Sequence, residues 1–453
     1  MVRQIDFTKG NIASQLILFS VPLILGELLQ NLYNSADAVV VGNLISDAAL
    51  GAVSVCATLV NLVVSFFNGM SVGATSVVAR AVGRNNREYL QQTIQSTFTF
   101  SAVLGIILSC FGVLSADFLI SLSAVDARIY DEATIYLRIY LAGTLFTILY
   151  NNGAGILRAI GNTRTPFLIL AISGILNILL DILFVAVFRA GVAGVAYATV
   201  ISQFLSAATV YWQINYQCRI QCLALRTTFS HGRSIILDVI RIGIPSGVQG
   251  ALISFSNLFI WRYVNPFGIA ATAGVGIAQR LDKFVSLPCK AIGVTTTTFV
   301  SQNLGARNRE RVHQGIRWCM LLSIGVTVFL EFVVYLFAEP MVALFNSDPQ
   351  VIEIGVNMVH TIIPLYFFLA VREILVGILR GHGYAQITML LSLLGMIGIR
   401  QFYLWLSMSF NPTLENVYYC YPLAWGSTML LLFVYYYLVS RSSAWNSLYE
   451  SKL

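Results

Sequence analysis

Residues 76–88 read SVVARAVGRNNRE, and residues 298–310 read TFVSQNLGARNRE, a related stretch 222 positions further along the chain. The letters GILR recur at the same spacing, at 155–158 and again at 377–380. Two matches at one offset in a chain of 453 residues indicate an internal duplication. The sequence therefore predicts two halves that share one design.

The composition is that of a membrane protein. Only 10% of the residues are charged and the mean hydropathy is +0.77, whereas soluble domains carry about 25% charged residues. Runs of about 20 mostly apolar residues, each long enough to cross the hydrocarbon layer as a helix, recur from end to end. We predict an all-α integral membrane protein with twelve transmembrane helices. The predicted spans are 13–41, 48–75, 91–114, 132–155, 165–188, 192–214, 236–262, 268–292, 314–337, 351–376, 386–409 and 418–440.

The basic residues predict how this bundle is oriented. They collect in the loops on one side, as in the two related motifs, while the opposite loops hold mainly Asp and Glu. Basic loops stay in the cytoplasm, so we expect a multi-pass protein of the cytoplasmic (inner) membrane with both termini in the cytoplasm. Each half has six spans, an even number, so the two six-helix lobes form a parallel internal repeat. We expect an N-lobe at 1–214, a cytoplasmic linker at 215–235 and a C-lobe at 236–453.

The net charge of +7 has a second interpretation, a nucleic-acid-binding surface. The basic residues are dispersed among short loops, and positive-inside bias explains them better. A cleaved signal peptide is a further alternative for the N-terminus, but the first apolar run is longer than an h-region and contains Pro22, Glu27 and Gln30. We therefore expect a lipid bilayer as the setting and no nucleic acid as a partner.

A polar stripe runs along the first predicted span. Glu27, Gln30, Asn34 and Asp37 follow one another at intervals of three to four residues, so they share one face of the helix. Such a face is not suited to lipid. The stripe therefore predicts a surface that faces protein or an aqueous cavity.

Three further polar residues lie in spans five and six. Asn177 and Asp181 are four residues apart on one helix face, and Thr199 lies in the first half of the next span. At about 1.5 Å per residue, Asp37, Asp181 and Thr199 all fall in the outer part of the membrane. The residues at the 222-residue offset are Phe259, Ile399, Tyr403 and Tyr421, with no carboxylate among them. The acids are therefore an addition of the first lobe.

A carboxylate buried at this depth must be neutralised by a proton, a cation or a basic partner. Two neighbouring carboxylates raise each other's pKa, and burial adds to the rise, which suits them to carry a proton. Carboxylate, amide and hydroxyl oxygens are also the hard ligands that Na⁺ prefers. The sequence leaves both ions open, and it also leaves open a purely structural role for the acids within the bundle.

For the other charged residues in apolar runs the sequence favours structural pairing and leaves a functional role open. Arg372 and Glu373 are neighbours in span ten, but adjacent helical residues point apart, so each is expected to need partners on other helices. Arg280, Asp282 and Lys283 form a similar group in span eight, and Glu331 and Arg400 are isolated charges.

Several enzymatic motifs are missing from the chain. None of the four lysines follows a glycine, so a Walker A motif is excluded, and neither HExxH nor GxSxG occurs. Seven cysteines lie mostly within predicted spans and imply no disulfide framework. We expect no enzyme activity and no cofactor beyond a coupling ion, H⁺ or Na⁺.

Four segments together resemble one transporter family. They are PLILGELLQNLYNSADAVVVGNL at 22–44, ATSVVARAVGRNNRE at 74–88, GILRAIGNTRTP at 155–166 and TTFVSQNLGARNRERV at 297–312. They resemble the multidrug and toxic compound extrusion (MATE) family, in particular its prokaryotic DinF-like branch, over essentially the whole chain. The resemblance implies alternating access and export of lipophilic, often cationic, compounds in exchange for H⁺ or Na⁺.

The resemblance also implies roles for individual residues. The family's first-lobe cation site falls here on Asp37, Asn177, Asp181 and Thr199, which is also where Na⁺ would bind as a metal ligand set. The positions that line the neighbouring substrate cavity match Gln30, Asn34, Tyr136 and either Asn151 or Asn152, and Pro22 matches a helix-bending proline. Acids that some members carry in the second lobe align here with Ile253 and Leu369, so a second-lobe ion site of that kind is not expected.

Two other functions remain open from the sequence. A flippase for a lipid-linked saccharide has a related fold, but its cavity would be more cationic in order to hold phosphates. A non-transporting membrane scaffold or receptor would tolerate loss of the acids. We expect a monomeric secondary antiporter, with small lipophilic or cationic compounds as its substrates.

Overall fold

The chain is almost entirely helical in the computed structural model, which describes residues 4–45, 47–122, 127–220 and 232–450. The side chains of 33–40, 43, 44, 47, 48, 50, 122, 219 and 220 are outside the described part as well. The helices are α1 Ile12–Leu44, α2 Asp47–Gly83, α3 Arg87–Leu122, α4 Tyr130–Ala142, α5 Thr144–Ala159, α6 Arg164–Ile182, α7 Gly191–Ile220, α8 Arg233–Val264, α9 Ile269–Gly305, α10 Arg309–Leu336, α11 Ala338–Ala343, α12 Pro349–Ile362, α13 Tyr366–Gly381, α14 Ala385–Leu393, α15 Arg400–Phe410, α16 Leu414–Val439 and α17 Ser443–Glu450. Two π-helical turns, Leu183–Val187 after α6 and Leu394–Ile399 between α14 and α15, interrupt the regular pattern.

The duplication is visible in the backbone of the two related motifs. Asn85 and Arg307, at equivalent positions, both have a left-handed conformation, with φ of 54° and 56°. Residues other than glycine rarely adopt it. In both turns the amide of this residue donates to the carbonyl three residues earlier, Val82 or Leu304, at 3.0 Å. The two halves therefore share a turn geometry as well as a sequence pattern.

Ten helical segments in the described ranges are individually long and apolar enough to cross a membrane. The bent pair α4–α5, with 45° between its two helices, makes an eleventh. The twelfth helix is α9, which has 37 residues. The fold is thus a twelve-helix membrane protein, as the sequence predicts.

The polar second half of α9 is buried inside protein. Thr295, Thr296, Thr297 and Thr298 are all at most 2% exposed. Each hydroxyl donates to the carbonyl oxygen four residues earlier, at 2.9 to 3.1 Å. Polar groups satisfied within the helix can lie at membrane depth, which explains how a helix of low hydropathy belongs to this bundle.

The helices assemble into two compact units. One comprises Met1–Asp6 and Val21–Gly247, and the other comprises Phe7–Ser20 and Val248–Leu453. One of the three divisions lies between Asp6 and Phe7, before α1. The other two fall inside α1 and α8, and a proline lies close to each of them, Pro22 and Pro245. Proline removes a backbone hydrogen bond and favours a bend there.

Contacts of the segment just before α1 explain why Phe7–Ser20 is grouped with the second unit. The Phe7 ring packs on Phe299 of α9, with 5.2 Å between ring centroids. The Arg311 guanidinium donates to the carbonyls of Phe7, Lys9 and Gly10 at 2.6 to 2.9 Å. The sequence-based boundaries at 214 and 236 follow the repeat, whereas α7 continues to Ile220 and residues 221–231 lie outside the described part.

The short helix α17 closes one end of the second unit through aromatic packing. Trp445 is 2% exposed and stacks on the His382 ring, with 3.8 Å between centroids. His382 Nδ1 lies 2.8 Å from the carbonyl oxygen of Ile378, so this nitrogen is the donor and Nε2 of the neutral ring accepts from Tyr449 at 2.7 Å. Burial raises the pKa of Tyr449, which keeps its hydroxyl protonated for that bond.

We expect Trp445→Ala to destabilise the second unit by about 3 kcal/mol or more, since it removes a large buried ring. A thermal unfolding curve of the detergent-solubilised protein measures the effect as a lower midpoint. The matched control is Trp405→Ala, because Trp405 is 60% exposed. Equal midpoints for the two variants would contradict a stabilising role for α17.

Candidate cation-coupling site

Asn177 and Asp181 lie one turn apart near the end of α6. They are 3% and 0% exposed. Neither Oδ1 nor Nδ2 of Asn177 has a hydrogen-bond partner among the residues that the structure describes. A buried amide without partners is costly and calls for a ligand or another polar group. The position therefore has unused polar capacity next to a buried carboxylate.

One hydrogen bond sets the register between α6 and the antiparallel helix α7. Ser173 Oγ donates to the carbonyl oxygen of Ser202 at 3.2 Å. Moving four residues forward along α6 and three residues back along α7 leads from this pair to Asn177 and Thr199. The Thr199 hydroxyl donates to the Val195 carbonyl at 3.1 Å, so its oxygen lone pairs remain available to a cation.

The residues one helical turn from Asp181 and Thr199 belong to a buried apolar cluster. Val185 follows Asp181 by four residues, and Val195 precedes Thr199 by four. Both belong to one apolar cluster with Tyr136 of α4 and Val41 of α1. Tyr136 is 8% exposed and stacks on Tyr140, with 6.4 Å between ring centroids. Four helices of the first unit thus meet next to the polar set.

The predicted stripe on α1 is described only in part. Asp37 lies on α1 one turn before Val41, but the side chains of Asp37 and Asn34 are outside the described residues. Gln30 is half-buried and Glu27 is exposed. Glu27 interacts electrostatically with the Arg158 guanidinium, which donates to Ser71 Oγ at 2.6 Å.

The two asparagines of α5 have different environments. Asn152 is 1% exposed and donates to Ser101 Oγ of α3 at 2.7 Å, so it ties two helices together. Asn151 is half-buried and donates to the Thr147 carbonyl of its own helix at 2.9 Å. Asn152 thus forms an interhelical contact, whereas the Asn151 amide is bonded within its own helix.

The second unit has apolar or aromatic residues where the first has its acid set. The Tyr421 hydroxyl accepts from Gln279 Nε2 at 2.8 Å, and Tyr403 Oη lies 3.5 Å from Asn416 Oδ1. Arg372 is buried, Glu373 is half-buried, and the two are paired directly with each other. The structural pairing that the sequence favours is thus present within one helix, because long side chains on neighbouring positions can curl towards each other.

Comparison with known proteins defines the class. The MatE family model matches the chain twice, at residues 22–183 and 245–406. The probable multidrug resistance protein YpnP of Bacillus subtilis strain 168 is 30% identical over 395 residues, covering 87% of this chain and 88% of that protein. The probable multidrug resistance protein NorM of Thermotoga maritima is 30% identical over 380 residues, covering 82% and 80%.

A solved structure has the same fold. An outward-facing multidrug resistance MATE family transporter of the MOP superfamily has a TM-score of 0.88, with 20% identity and 99% of each chain covered. The protein is therefore a multi-pass membrane protein with the two-lobe, twelve-helix transporter fold. It belongs to the MATE family of transporters, as the sequence motifs indicate.

Proposed function

We propose that the protein is a secondary antiporter that exports small lipophilic or cationic compounds in exchange for H⁺ or Na⁺. The observation that carries this proposal is the buried pair Asn177 and Asp181 in a unit whose counterpart has no acid at the equivalent positions. The register between α6 and α7 supports Thr199 as their neighbour. The names of the two relatives, both probable multidrug resistance proteins, support the substrate class.

The coupling ion enters the polar set of the first unit. Asp181 and, by its sequence spacing, Asp37 supply negative charge, while Asn177 Oδ1 and Thr199 Oγ1 supply neutral oxygen ligands. A carboxylate at this depth is stable only when it is neutralised, so ion entry lowers the cost of burying the site. The ion thereby favours one conformation of the protein over another, which is the requirement for coupling.

Substrate export follows from that shift in conformation. In the proposed cycle the ion-loaded protein releases its substrate outwards, and the ion-free protein returns to reload from the cytoplasm. Gln30, Asn34, Tyr136 and the two asparagines of α5 are the proposed cavity residues, and Pro22 is the proposed bending point of α1. The protein works as a monomer in the cytoplasmic membrane, with both termini inside.

Reconstitution in liposomes tests this function. Purified protein is incorporated into vesicles, and either a pH gradient or a Na⁺ gradient is imposed with the higher concentration inside. We expect one of the two gradients to drive accumulation of rhodamine 123, a fluorescent lipophilic cation, at least about tenfold above protein-free vesicles, because an antiporter exchanges it for the departing ion. The ion whose gradient works is the coupling ion.

Two controls make the result decisive. Nigericin collapses the pH gradient and monensin collapses the Na⁺ gradient, so the matching ionophore should abolish accumulation. An accumulation that survives both ionophores, or none under either gradient, would contradict the proposed antiport.

A further inference from the structure

The second unit contains a buried positive charge that the proposed transport cycle does not use. Arg400 begins α15 directly after the π-helical turn Leu394–Ile399 and is 1% exposed. Counted from Ala385, it lies roughly 22 Å along its span. A guanidinium at this depth is costly to bury unless an anion or a full set of acceptors surrounds it. π-helical turns within helices often mark functional sites.

The hydrogen bonds of Arg400 leave most of its donors unused. Nη1 donates to Asn257 Oδ1 at 2.9 Å, and Nη2 donates to Ser256 Oγ at 2.8 Å. Both partners are neutral. The Nε atom is buried and has no partner among the described residues. Since a guanidinium has five N–H groups, three remain unassigned.

Further donors surround the same place. Gln401 Nε2 donates to Ser256 Oγ at 3.2 Å, so that hydroxyl oxygen already accepts twice. Tyr421 of α16 lies near both Arg400 and Asp282, and its hydroxyl oxygen accepts from Gln279 at 2.8 Å. The Tyr421 O–H proton has no acceptor among the described residues. The cluster is thus rich in donors and poor in acceptors.

The nearby acids do not neutralise Arg400. Within the described residues, no carboxylate oxygen lies within 4.0 Å of its guanidinium. The Asp282 carboxylate lies near Tyr421, but its charged neighbours are Lys290 and Lys283, and it accepts from Ser286 Oγ at 3.4 Å. Glu373 is paired with Arg372. Arg400 therefore differs from these charges in having neutral partners only.

The exposed residues beside the cluster lie on α8. Asn257 is exposed although it lies on α8 within a predicted span. Phe255 and Phe259 on the same helix are 45% and 47% exposed and contact each other edge to face. Asn257 is thus the member of the cluster nearest to the surface, and the two phenylalanine rings offer an aromatic contact beside it.

We propose that Arg400, with Ser256, Asn257 and Tyr421, forms an anion-binding subsite in the second unit. Its ligand is a small monoanion, either the carboxylate of an amphiphilic compound or a free halide. The exposed phenylalanines favour the carboxylate of an aromatic compound. Transport of such a compound rests on the proposed antiport, whereas its binding does not.

A matched pair of dyes tests the subsite. Rhodamine 110 carries a free carboxylate, and rhodamine 123 is its methyl ester, so the two differ in this one group. Binding to purified protein in detergent is followed by fluorescence anisotropy, with no ion gradient present. We expect Arg400→Gln to weaken rhodamine 110 binding at least about tenfold, the loss of a charge-assisted hydrogen bond, and to leave rhodamine 123 within about twofold.

Two further variants separate ligand binding from folding. Arg400→Lys keeps the charge and should restore at least part of the affinity. Asn257→Asp keeps Arg400 but places a carboxylate beside Nη1, and this internal anion should exclude rhodamine 110 without removing a structural contact. Arg317→Gln is the control, because it removes the same charge from an exposed position on α10.

The halide is distinguished by repeating the titrations in gluconate and in chloride. The site binds a free anion if chloride competes with rhodamine 110 and raises the thermal midpoint of the wild type but not that of Arg400→Gln. Rhodamine 110 binding that is unaffected by chloride assigns it to the carboxylate. Equal binding of both dyes by the wild type, Arg400→Gln and Asn257→Asp, with no chloride effect, overturns the subsite. Failure of gradient-driven rhodamine 123 uptake would overturn the antiport alone.

Discussion

Gly69→Ala should greatly reduce the stability of the first unit. A Cβ atom on Gly69 would overlap the backbone nitrogen of Gly247 and the carbonyl group of Ser246 on α8. One turn later, a Cβ atom on Gly73 would lie 2.6 Å from the Cα of Gly243. Backbone atoms cannot move aside as side chains do, so α2 and α8 must separate and lose their packing. We expect a cost of about 3 kcal/mol or more, seen as a lower thermal midpoint in detergent.

Gly325→Ala is the matched control for this substitution. No heavy atom lies within 4 Å of a Cβ placed on Gly325 of α10. Alanine there has a higher helix propensity than glycine and causes no clash, so the free energy of unfolding should stay the same or rise by up to about 1 kcal/mol. An unchanged midpoint for Gly69→Ala alongside this control would show that α2 and α8 are not in backbone contact.

The spacing of these glycines could be recognised from the sequence, but their pairing could not. Gly69 and Gly73, like Gly243 and Gly247, have the four-residue interval that allows close helix packing. The interval indicates that a helix has a flat face, but it does not indicate which other helix packs against that face. That information lies in the three-dimensional arrangement of α2 and α8.

The contacts made by the two ends of the chain could not be predicted from the sequence either. Apolar periodicity and the 222-residue offset predict the helices and the repeat, because each depends on local sequence. The docking of Trp445 on His382 depends on residues far apart in sequence, and an eight-residue helix carries little periodicity of its own. The burial of Phe7 against Phe299 is a similar long-range contact.

The candidate site could be predicted from the sequence only in part. Asn177 and Asp181 share a face by local helix geometry, so the sequence predicts their proximity directly. The match to Thr199 depended on depth and on the family resemblance, and the Ser173 to Ser202 hydrogen bond supplies the register in the structure. The neutral environment of Arg400 could not be predicted, since its partners are about 143 residues away in the chain.

Asp181→Asn should abolish gradient-driven export while leaving the protein folded. The amide has nearly the shape of the carboxylate but cannot exchange a proton or balance the charge of Na⁺. Ion entry then no longer distinguishes the two conformations, and coupling is lost. We expect rhodamine 123 accumulation in liposomes to fall at least about tenfold. Because Asp181 is fully buried, replacing its charge should leave the thermal midpoint unchanged or higher.

Three variants with the same Asp-to-Asn change show whether the loss of transport is specific to the two proposed coupling acids. Asp37→Asn is expected to share the loss of transport, since both carboxylates belong to the proposed site. Asp131→Asn is the control, because Asp131 is exposed in the first turn of α4 and should keep wild-type accumulation. Rhodamine 123 binding in detergent should stay within about twofold in all three, because the dye does not depend on the ion for its contacts. If accumulation persists in both Asp37→Asn and Asp181→Asn, these acids do not take part in coupling. If rhodamine 123 binding is lost together with transport, the acids contact the substrate instead.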